Sequence, residues 1–400
     1  MLGWELPPHN SGGLGVACYQ LCQALSSHKD VDLEFILPYE ADHSHIDFMT
    51  VTSARPVGVK EVIKTAGAYD SYKYHYEDGR EEWHDIYSQQ AMFEKAVARM
   101  AFEKEFDIVH AHDWLTFRGA MRLKEATGCP IILHVHSLES DRAGGGYGNP
   151  LVRQIEYEAF QMADRIVAVS ELTRQTIIRE YHVPANIVDV LHNSLNHASM
   201  APLDANNSYE YLVQMKQQGY RVVTNVGRLT MQKGLTNLLR AAKDVIERAP
   251  KTIFLIVGNG DQYFELIELA AELGIGRNVL FADFQRGKRW RDAFGIADLF
   301  VMPSVSEPFG LTPLEATAYG APSLVSKQSG VSELLKNCLK IDFWDVNEMS
   351  NQILAVVQHD ALRRELTAGA YRELQSLSWH KPAARLRDMY STHLNVGAAA

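Results

Sequence analysis

Two successive series of short, β-branched and aliphatic runs alternate with longer amphipathic segments, and this pattern constrains the chain more than any other feature. The first series is Leu33-Glu34-Phe35-Ile36-Leu37, Phe106-Asp107-Ile108-Val109-His110, Ile131-Ile132-Leu133-His134-Val135 and Arg165-Ile166-Val167-Ala168-Val169. The second is Val222-Val223-Thr224-Asn225-Val226, Ile253-Phe254-Leu255-Ile256-Val257, Val279-Leu280-Phe281, Leu299-Phe300-Val301-Met302 and Ser323-Leu324-Val325. Runs this apolar read as strands covered on both faces. Between them, Leu14, Cys18, Leu21 and Leu25 keep one helical face, and Tyr263, Leu266, Ile267, Ala270 and Leu273 keep another. Repeated strand–helix alternation needs right-handed crossovers and therefore parallel sheets with helices on both sides. The expected fold class is α/β, with two doubly wound, Rossmann-like domains.

A length of 400 residues suits two such domains. The strand Ile187-Val188-Asp189-Val190-Leu191 ends the first series. The polar stretch Asn193 to Ser208 and a short helical piece, Tyr209 to Gln217, lead into the second. We therefore expect domains at 1–200 and 201–378, and a last helix over 379–400 carrying Leu386, Met389, Tyr390 and Leu394, with a frayed Gly397-Ala398-Ala399-Ala400 end. Lys plus Arg is 39 against 49 Asp plus Glu, a net charge of −10, which argues against non-specific nucleic-acid binding. No apolar run is long enough to span a membrane, and Met1 to Pro8 lacks the basic and apolar regions of a secretory signal. Cys18, Cys22, Cys129 and Cys338 have neither disulfide-framework nor zinc spacing and read as small buried hydrophobes. The expected compartment is the reducing cytoplasm.

Several constellations carry chemistry. The segment Glu307-Pro308-Phe309-Gly310-Leu311-Thr312-Pro313-Leu314-Glu315 places two carboxylates on either side of a glycine turn and a helix start. Free N–H groups of Gly310, Leu311 and Thr312 at such a start attract a phosphate, and Glu315 one turn further on can reach the hydroxyls of an attached ribose. The competing reading of Thr312-x-x-Glu315 is a capping box. In Gly227-Arg228-Leu229-Thr230-Met231-Gln232-Lys233-Gly234, after a strand, Arg228 and Lys233 can clamp a diphosphate, one as a fork and one as a point charge. The loop Asn10-Ser11-Gly12-Gly13-Leu14-Gly15 opens a helix, and Gly12 and Gly13 let a ligand approach its amides. A dinucleotide fingerprint fails there, because Cys18 stands at the third glycine and Glu34 lies inside a strand. His110-Ala111-His112-Asp113-Trp114 and His134-Val135-His136-Ser137 each close a strand. A metal would need a third ligand at recognisable spacing, and none is apparent, so no metal site is expected.

Together these residues resemble glycosyltransferase family 4, the retaining GT-B enzymes that include glycogen, starch and sucrose synthases. The resemblance runs from Glu5-x-x-Pro8 to Trp379 and rests most on Glu-x7-Glu and on Gly-Arg-Leu-x-x-Gln-Lys-Gly. It implies two Rossmann-like domains facing across a cleft, with the acceptor side on the first, the nucleotide sugar on the second and a last helix crossing back to the first. It implies catalytic roles at the donor sugar and diphosphate for His136, Asp113, Glu307, Arg228 and Lys233. Donor binding falls to Gly12, Gly13, Gly258, Gly310, Leu311, Thr312 and Glu315, and the donor sugar or cleft to Asn193. Ser194 and Asn196 stand where the family usually has Gly and Asp, and Asn10 stands where glycogen synthases have Lys. The implied reaction moves a hexosyl unit, with glucosyl the expected one, from an ADP- or UDP-linked sugar to a glycan or other hydroxyl acceptor, an α-glucan being one candidate. It uses no separate cofactor and no metal. Mannosyl or other transfer in cell-surface glycan or glycolipid assembly is the alternative, and a non-catalytic nucleotide-sugar-binding subunit is the alternative of another class.

Three stretches stay outside this scheme. Tyr72, Tyr74 and Tyr76 alternate, flanked by Tyr69, Trp83 and Tyr87, and read either as hairpin packing or as an acceptor platform. Arg286, Lys288, Arg289 and Arg291 form a basic patch that reads as a solvated helix start or as a contact for an anionic glucan, membrane or partner. Asp141 to Asn149, rich in glycine, is expected to be mobile and to cover the acceptor side.

Overall fold

The structure is a computed structural model that describes residues 1–10, 12–64, 72–197 and 200–397. Ser11 of the glycine loop, Tyr69 and the tail alanines Ala398, Ala399 and Ala400 lie outside the described residues. The chain divides into two compact units. The first comprises Met1–Glu139, Gly148–Ser194 and the chain from Trp379 on, and the second comprises Ser140–Tyr147 and Leu195–Ser378.

In the first unit, strands β1 (Glu34–Leu37) and β2 (Thr50–Ser53) pair in parallel, as do β6 (Val109–His112), β7 (Ile131–Val135), β8 (Arg165–Ala168) and β9 (Val188–Val190). Leu2 joins the two groups, bridging in parallel to Ile36 on one side and Ala111 on the other. An antiparallel sheet of β3 (Val59–Lys64), β4 (Tyr72–Tyr76) and β5 (Glu81–His84) is inserted between β2 and β6 in the chain. Its alternation resolves the tyrosine question toward packing. Tyr72 and Tyr74 are fully buried, Tyr72 Oη accepts from Trp4 Nε1 at 2.8 Å, and Tyr74 Oη donates to Gln89. Buried rings cannot stack on a sugar, so Tyr72 and Tyr74 are not an acceptor platform.

Strand β6 begins later than the run Phe106–His110 suggested, because its register is set by β7: Val109 pairs with Ile131 and His112 with His134. The helix His380–Gly397 packs in this unit on the helix Gly13–Leu25. Trp379 Nε1 donates to Gln20 Oε1 at 2.5 Å, and Arg387 pairs with Asp30 at 2.6 Å.

The second unit holds one six-stranded parallel sheet: β10 (Arg221–Val226), β11 (Thr252–Val257), β12 (Val279–Phe281), β13 (Leu299–Met302), β14 (Ser323–Ser326) and β15 (Leu339–Ile341). The spatial order is β12-β11-β10-β13-β14-β15. The chain reverses its direction of travel between β10 and β13, and a crevice opens there beyond the strand C-termini. The basic patch lies at the start of this unit's helix Gly287–Gly295, with Arg286 at its N-cap, and is partly neutralised. Lys288 pairs with Asp292 at 2.5 Å, Arg291 lies 3.6 Å from Asp204, and Arg289 lies over the Tyr209 ring. The helix's own Asp292 and Asp204 from the preceding segment thus pair with Lys288 and Arg291, two of the four cations of the patch.

The glycine-rich stretch is also more ordered than expected. Gly144, Gly145 and Gly146 donate to Asp141, Ser140 and Ala143, and Asp141 Oδ1 accepts from Ser306 Oγ at 2.5 Å. All four cysteines are free and buried. No helix among the described residues is long and apolar enough to cross a membrane.

Candidate active site

In the second unit the loops after β10, β11 and β13 converge on the switch point. Gln232 holds them together from a buried position: its carbonyl accepts from Val305 N at 2.8 Å and its side-chain amide donates to Ser306 O at 3.0 Å. Gly258 has φ +145°, and a Cβ there would lie 1.8 Å from Gly227 O. Its glycine is therefore required by this close loop crossing, rather than by donor contact alone. Gly310 has φ +92° and turns the chain into the helix Thr312–Ala318.

Thr312 is the first helical residue and Leu311 the N-cap, with no side-chain cap. The capping box is thus absent, and Glu315 has no capping task. The amides of Gly310, Leu311 and Thr312 have no hydrogen-bond partner among the described residues. Glu315 keeps part of its surface accessible but is closely ringed by protein, and burial pushes its carboxyl up to about 7.

Arg228 is exposed, with one long contact of 3.4 Å to Gln232 Oε1. Lys233 is differently placed. Its Nζ pairs with Glu307 Oε2 at 2.5 Å, and Ser304 Oγ donates to the same oxygen at 3.3 Å. Glu307 itself is fixed by its backbone, which exchanges hydrogen bonds with Gln328 and Gly330. Two residues assigned from the sequence to different parts of a donor are therefore paired with each other here.

In the first unit, His136 is half-buried at the end of β7, and burial holds its ring near a pKa of about 3, so it is neutral at pH 7. Its Nε2 lies 3.0 Å from His112 Nδ1. Asp113 occupies φ 60°, ψ 168°, a conformation that costs a non-glycine residue roughly 1–3 kcal/mol. What holds it there is its carboxylate. Oδ1 accepts from His136 N at 2.7 Å and Ser137 N at 3.1 Å, and Oδ2 from Ser137 Oγ at 3.3 Å. Through these bonds the Asp113 carboxylate fixes the backbone of His136 and Ser137.

Gly12, at the N-cap of the helix Gly13–Leu25, has extended backbone, and a Cβ on it would meet nothing within 4 Å. Neither conformation nor packing demands glycine there, which leaves room for a ligand. Asn10 folds over this loop, its amide donating to Gly12 O at 3.0 Å. Asn193 is buried with an Oδ1 that has no partner among the described residues.

The fold also supplies what the sequence lacked, a third nitrogen or sulfur ligand near each histidine pair. His110, His112 and His134 form one grouping within 4.8 Å, and Cys18, His112 and His136 another. The rings are engaged with one another and with the last helix: His110 Nδ1 meets Tyr390 Oη at 2.5 Å and His110 Nε2 meets His134 Nδ1 at 3.3 Å. Register pairing of β6 with β7 creates this stack, so residues 24 apart in sequence could not announce it.

A parallel sheet in strand order 3-2-1-4-5-6, with paired cations, open amides and a raised carboxyl at its switch point, and a second Rossmann-like unit, define a GT-B glycosyltransferase. The comparisons agree. A model described as Glycosyltransferase Family 4 matches residues 11–199, and one described as Glycosyl transferases group 1 matches residues 213–373. Together the two models span most of the chain, which is a glycosyltransferase of the family 4 type.

An uncharacterized glycosyltransferase of Methanocaldococcus jannaschii is 29% identical over 345 residues, 84% of this chain and 82% of its own. A D-inositol 3-phosphate glycosyltransferase of Rhodococcus opacus is 29% identical over 324 residues, 76% of this chain and 72% of its own. Among solved structures, sucrose-phosphate synthase from Thermosynechococcus elongatus superposes with a TM-score of 0.76 at 18% identity, covering 100% of this chain and 99% of that one. Anabaena HepE in complex with UDP-glucose superposes with a TM-score of 0.71 at 19% identity, covering 98% and 99%. At these identities the structures speak for the fold.

Proposed function

We propose that the protein transfers a glucosyl unit from a nucleoside-diphosphate sugar to a hydroxyl acceptor with retention of anomeric configuration. The observation that carries this reading is the convergence of Arg228, Lys233, Glu307, the open amides of Gly310 to Thr312 and Glu315 at one switch point. Glu315 accepts from the ribose hydroxyls. Arg228, Lys233 and the amides take the negative charge that grows on the departing diphosphate. Lys233 exchanges Glu307 for phosphate oxygen on donor binding, which frees the Glu307 carboxylate for the sugar. His136, held by Asp113 and neutral, offers a hydrogen bond to the donor sugar, and Asn193 Oδ1 offers an acceptor. The first unit supplies the acceptor side.

Retention is the reading that the resemblance to retaining enzymes supports, and the UDP-glucose complex of HepE supports UDP as the first donor base to try. A non-catalytic subunit would have no need to keep the Lys233–Glu307 pair beside Arg228. Nucleotide release from a panel of nucleotide sugars, with and without acceptor, tests the reading, and the anomeric signal of the product tests retention. No turnover with any donor would overturn it.

Two results are expected on the donor side. Glu315→Gln raises the donor KM more than it lowers kcat. In the parent enzyme the donor KM rises as pH falls below about 7, because the carboxyl there gains its proton and loses acceptor capacity. A donor KM indifferent to both would show that the ribose is held elsewhere. Activity is also expected to survive exhaustive chelation, since Arg228 and Lys233 carry the charge a metal would otherwise balance. A fall to background restored by Mn²⁺ or Mg²⁺ would reverse that assignment.

A further inference from the structure

The helix Gly13–Leu25 and the ends of β6 and β7 bring one thiol and two imidazoles together in the first unit. Cys18 Sγ and one ring nitrogen each from His112 and His136 lie within 4.8 Å of one another. That is no more than a side-chain rotation from the roughly 3.3–3.6 Å edges of a tetrahedral zinc site. Stacking holds the rings in place: His112 lies against His110 at 4.5 Å and His134 at 5.2 Å, and His136 against His134 at 4.3 Å. His112 and His136 already approach nitrogen to nitrogen at 3.0 Å. His112 is 0% exposed, and its Nε2 has no hydrogen-bond partner among the described residues. A buried ring nitrogen left in this way costs free energy. With the proton on Nδ1, shared with His136, Nε2 presents a free lone pair that a metal ion would satisfy.

The donor set decides which cation fits. Imidazole nitrogens and a thiolate select zinc-like, borderline-soft ions, whereas Mg²⁺ and Mn²⁺ prefer oxygen ligands. Cys18 is a free thiol, 1% exposed, and the carboxylates of Asp113 and Glu5 act on it electrostatically. With the thiolate they supply the negative charge that a dication taken out of water requires. His136 is half-buried, and its accessible side gives an ion its entry from solvent. We propose that Cys18, His112 and His136 bind one Zn²⁺ per chain, and that this zinc reversibly inhibits transfer by taking the His136 nitrogen from the donor sugar. The thiol proton leaves to solvent as zinc enters, while both rings are already neutral. The inhibitory half rests on the transferase reading above, and the binding half does not. Zinc acts here against catalysis, so the expected survival of activity on chelation is unchanged.

The test titrates Zn²⁺, and Co²⁺ as its spectroscopic substitute, into protein first stripped with a chelator. One Zn²⁺ per chain is expected to bind and to raise the melting temperature. Co²⁺ is expected to give a thiolate-to-cobalt charge-transfer band in the near ultraviolet. Cys18→Ala is expected to lose that band and to weaken zinc binding by about 10²-fold or more, while keeping the parent's activity in the absence of zinc. Should the alanine variant not fold, Cys18→Ser, which keeps the volume, makes the same comparison. Micromolar Zn²⁺ is expected to lower the parent's kcat by roughly tenfold or more, a chelator to restore it, and the Cys18 variant to resist it. A folded parent that binds no zinc in that range overturns the site. So does binding whose strength and spectrum ignore residue 18, which would put the ion on surface histidines or on the three-histidine grouping. Zinc held through Cys18 without inhibition overturns the inhibitory half and the role of His136 at the donor. Absence of turnover with any donor removes the transferase reading and leaves the binding result standing.

Discussion

Lys233→Ala is expected to lower kcat/KM by ~10² or more, a loss of roughly 2–4 kcal/mol of transition-state stabilisation. The departing diphosphate gains charge as the glycosidic bond breaks, and at this switch point the counter-charges at hand are Arg228, Lys233 and the amides of Gly310 to Thr312. The structure adds a second consequence. Without Lys233, the buried Glu307 carboxylate keeps only Ser304 Oγ as a hydrogen-bond partner among the described residues, so some stability is lost as well. Arg228→Ala separates the two effects, because Arg228 is exposed and its removal strands no carboxylate. It is expected to cost a similar factor in kcat/KM with an unchanged melting temperature. Arg228→Lys restores activity only in part, since an ammonium cannot fork across two phosphate oxygens. Steady-state kinetics beside a thermal melt for each variant decides. Folded variants with activity within a few-fold of the parent would move the diphosphate away from these loops.

Acid is expected to unfold the protein well before its carboxylates titrate. His110, His112 and His134 are 2%, 0% and 1% exposed, and burial holds all three rings well below the ordinary histidine range. In the unfolded chain they take up protons near pH 6.5, while the native stack stays neutral. The unfolded state therefore binds more protons below that pH, and the stability these rings contribute is present above about 6.5 and is lost as pH falls. Each such group contributes about 1.4 kcal/mol per pH unit. His136, held near about 3 by burial, acts in the same sense as these three rings, while Glu315 works in the opposite sense between its ordinary value and about 7. The histidines outnumber the one opposing carboxyl, so the net effect of acid is destabilising, in a protein whose total stability is of order 5–15 kcal/mol. Thermal melts from pH 8 to 5 should fall steeply below pH 6.5, and His134→Gln should make the slope shallower. A melting temperature flat over that range would mean that the stack takes up protons without unfolding.

Much of the fold was legible because strand and helix periodicity are local properties. The buried runs at Val222–Val226, Ile253–Val257 and Leu299–Met302 announce themselves by composition, and each falls on an observed strand. Strands Thr50–Ser53 and Leu339–Ile341 are short edge strands whose half-buried residues carry no such run, and they were not legible. The donor residues were legible in kind, since a loop after a strand with Arg and Lys, and a glycine turn into a helix, state their chemistry within ten residues.

The sequence by itself determined two α/β halves, the strand-end placement of the candidate residues and the class of ligand they suit. Only the tertiary structure decided which side chains meet. Lys233 finds Glu307 because β10 lies beside β13. His112 finds His136, and His110 finds His134, because β6 and β7 pair in one register. The Asp113 carboxylate clamps the His136 backbone, and Tyr72 and Tyr74 are buried in the core. The reason is physical: periodicity is written in neighbours a few residues apart, whereas strand order and register bring together residues tens of positions apart, and no local pattern encodes their contact.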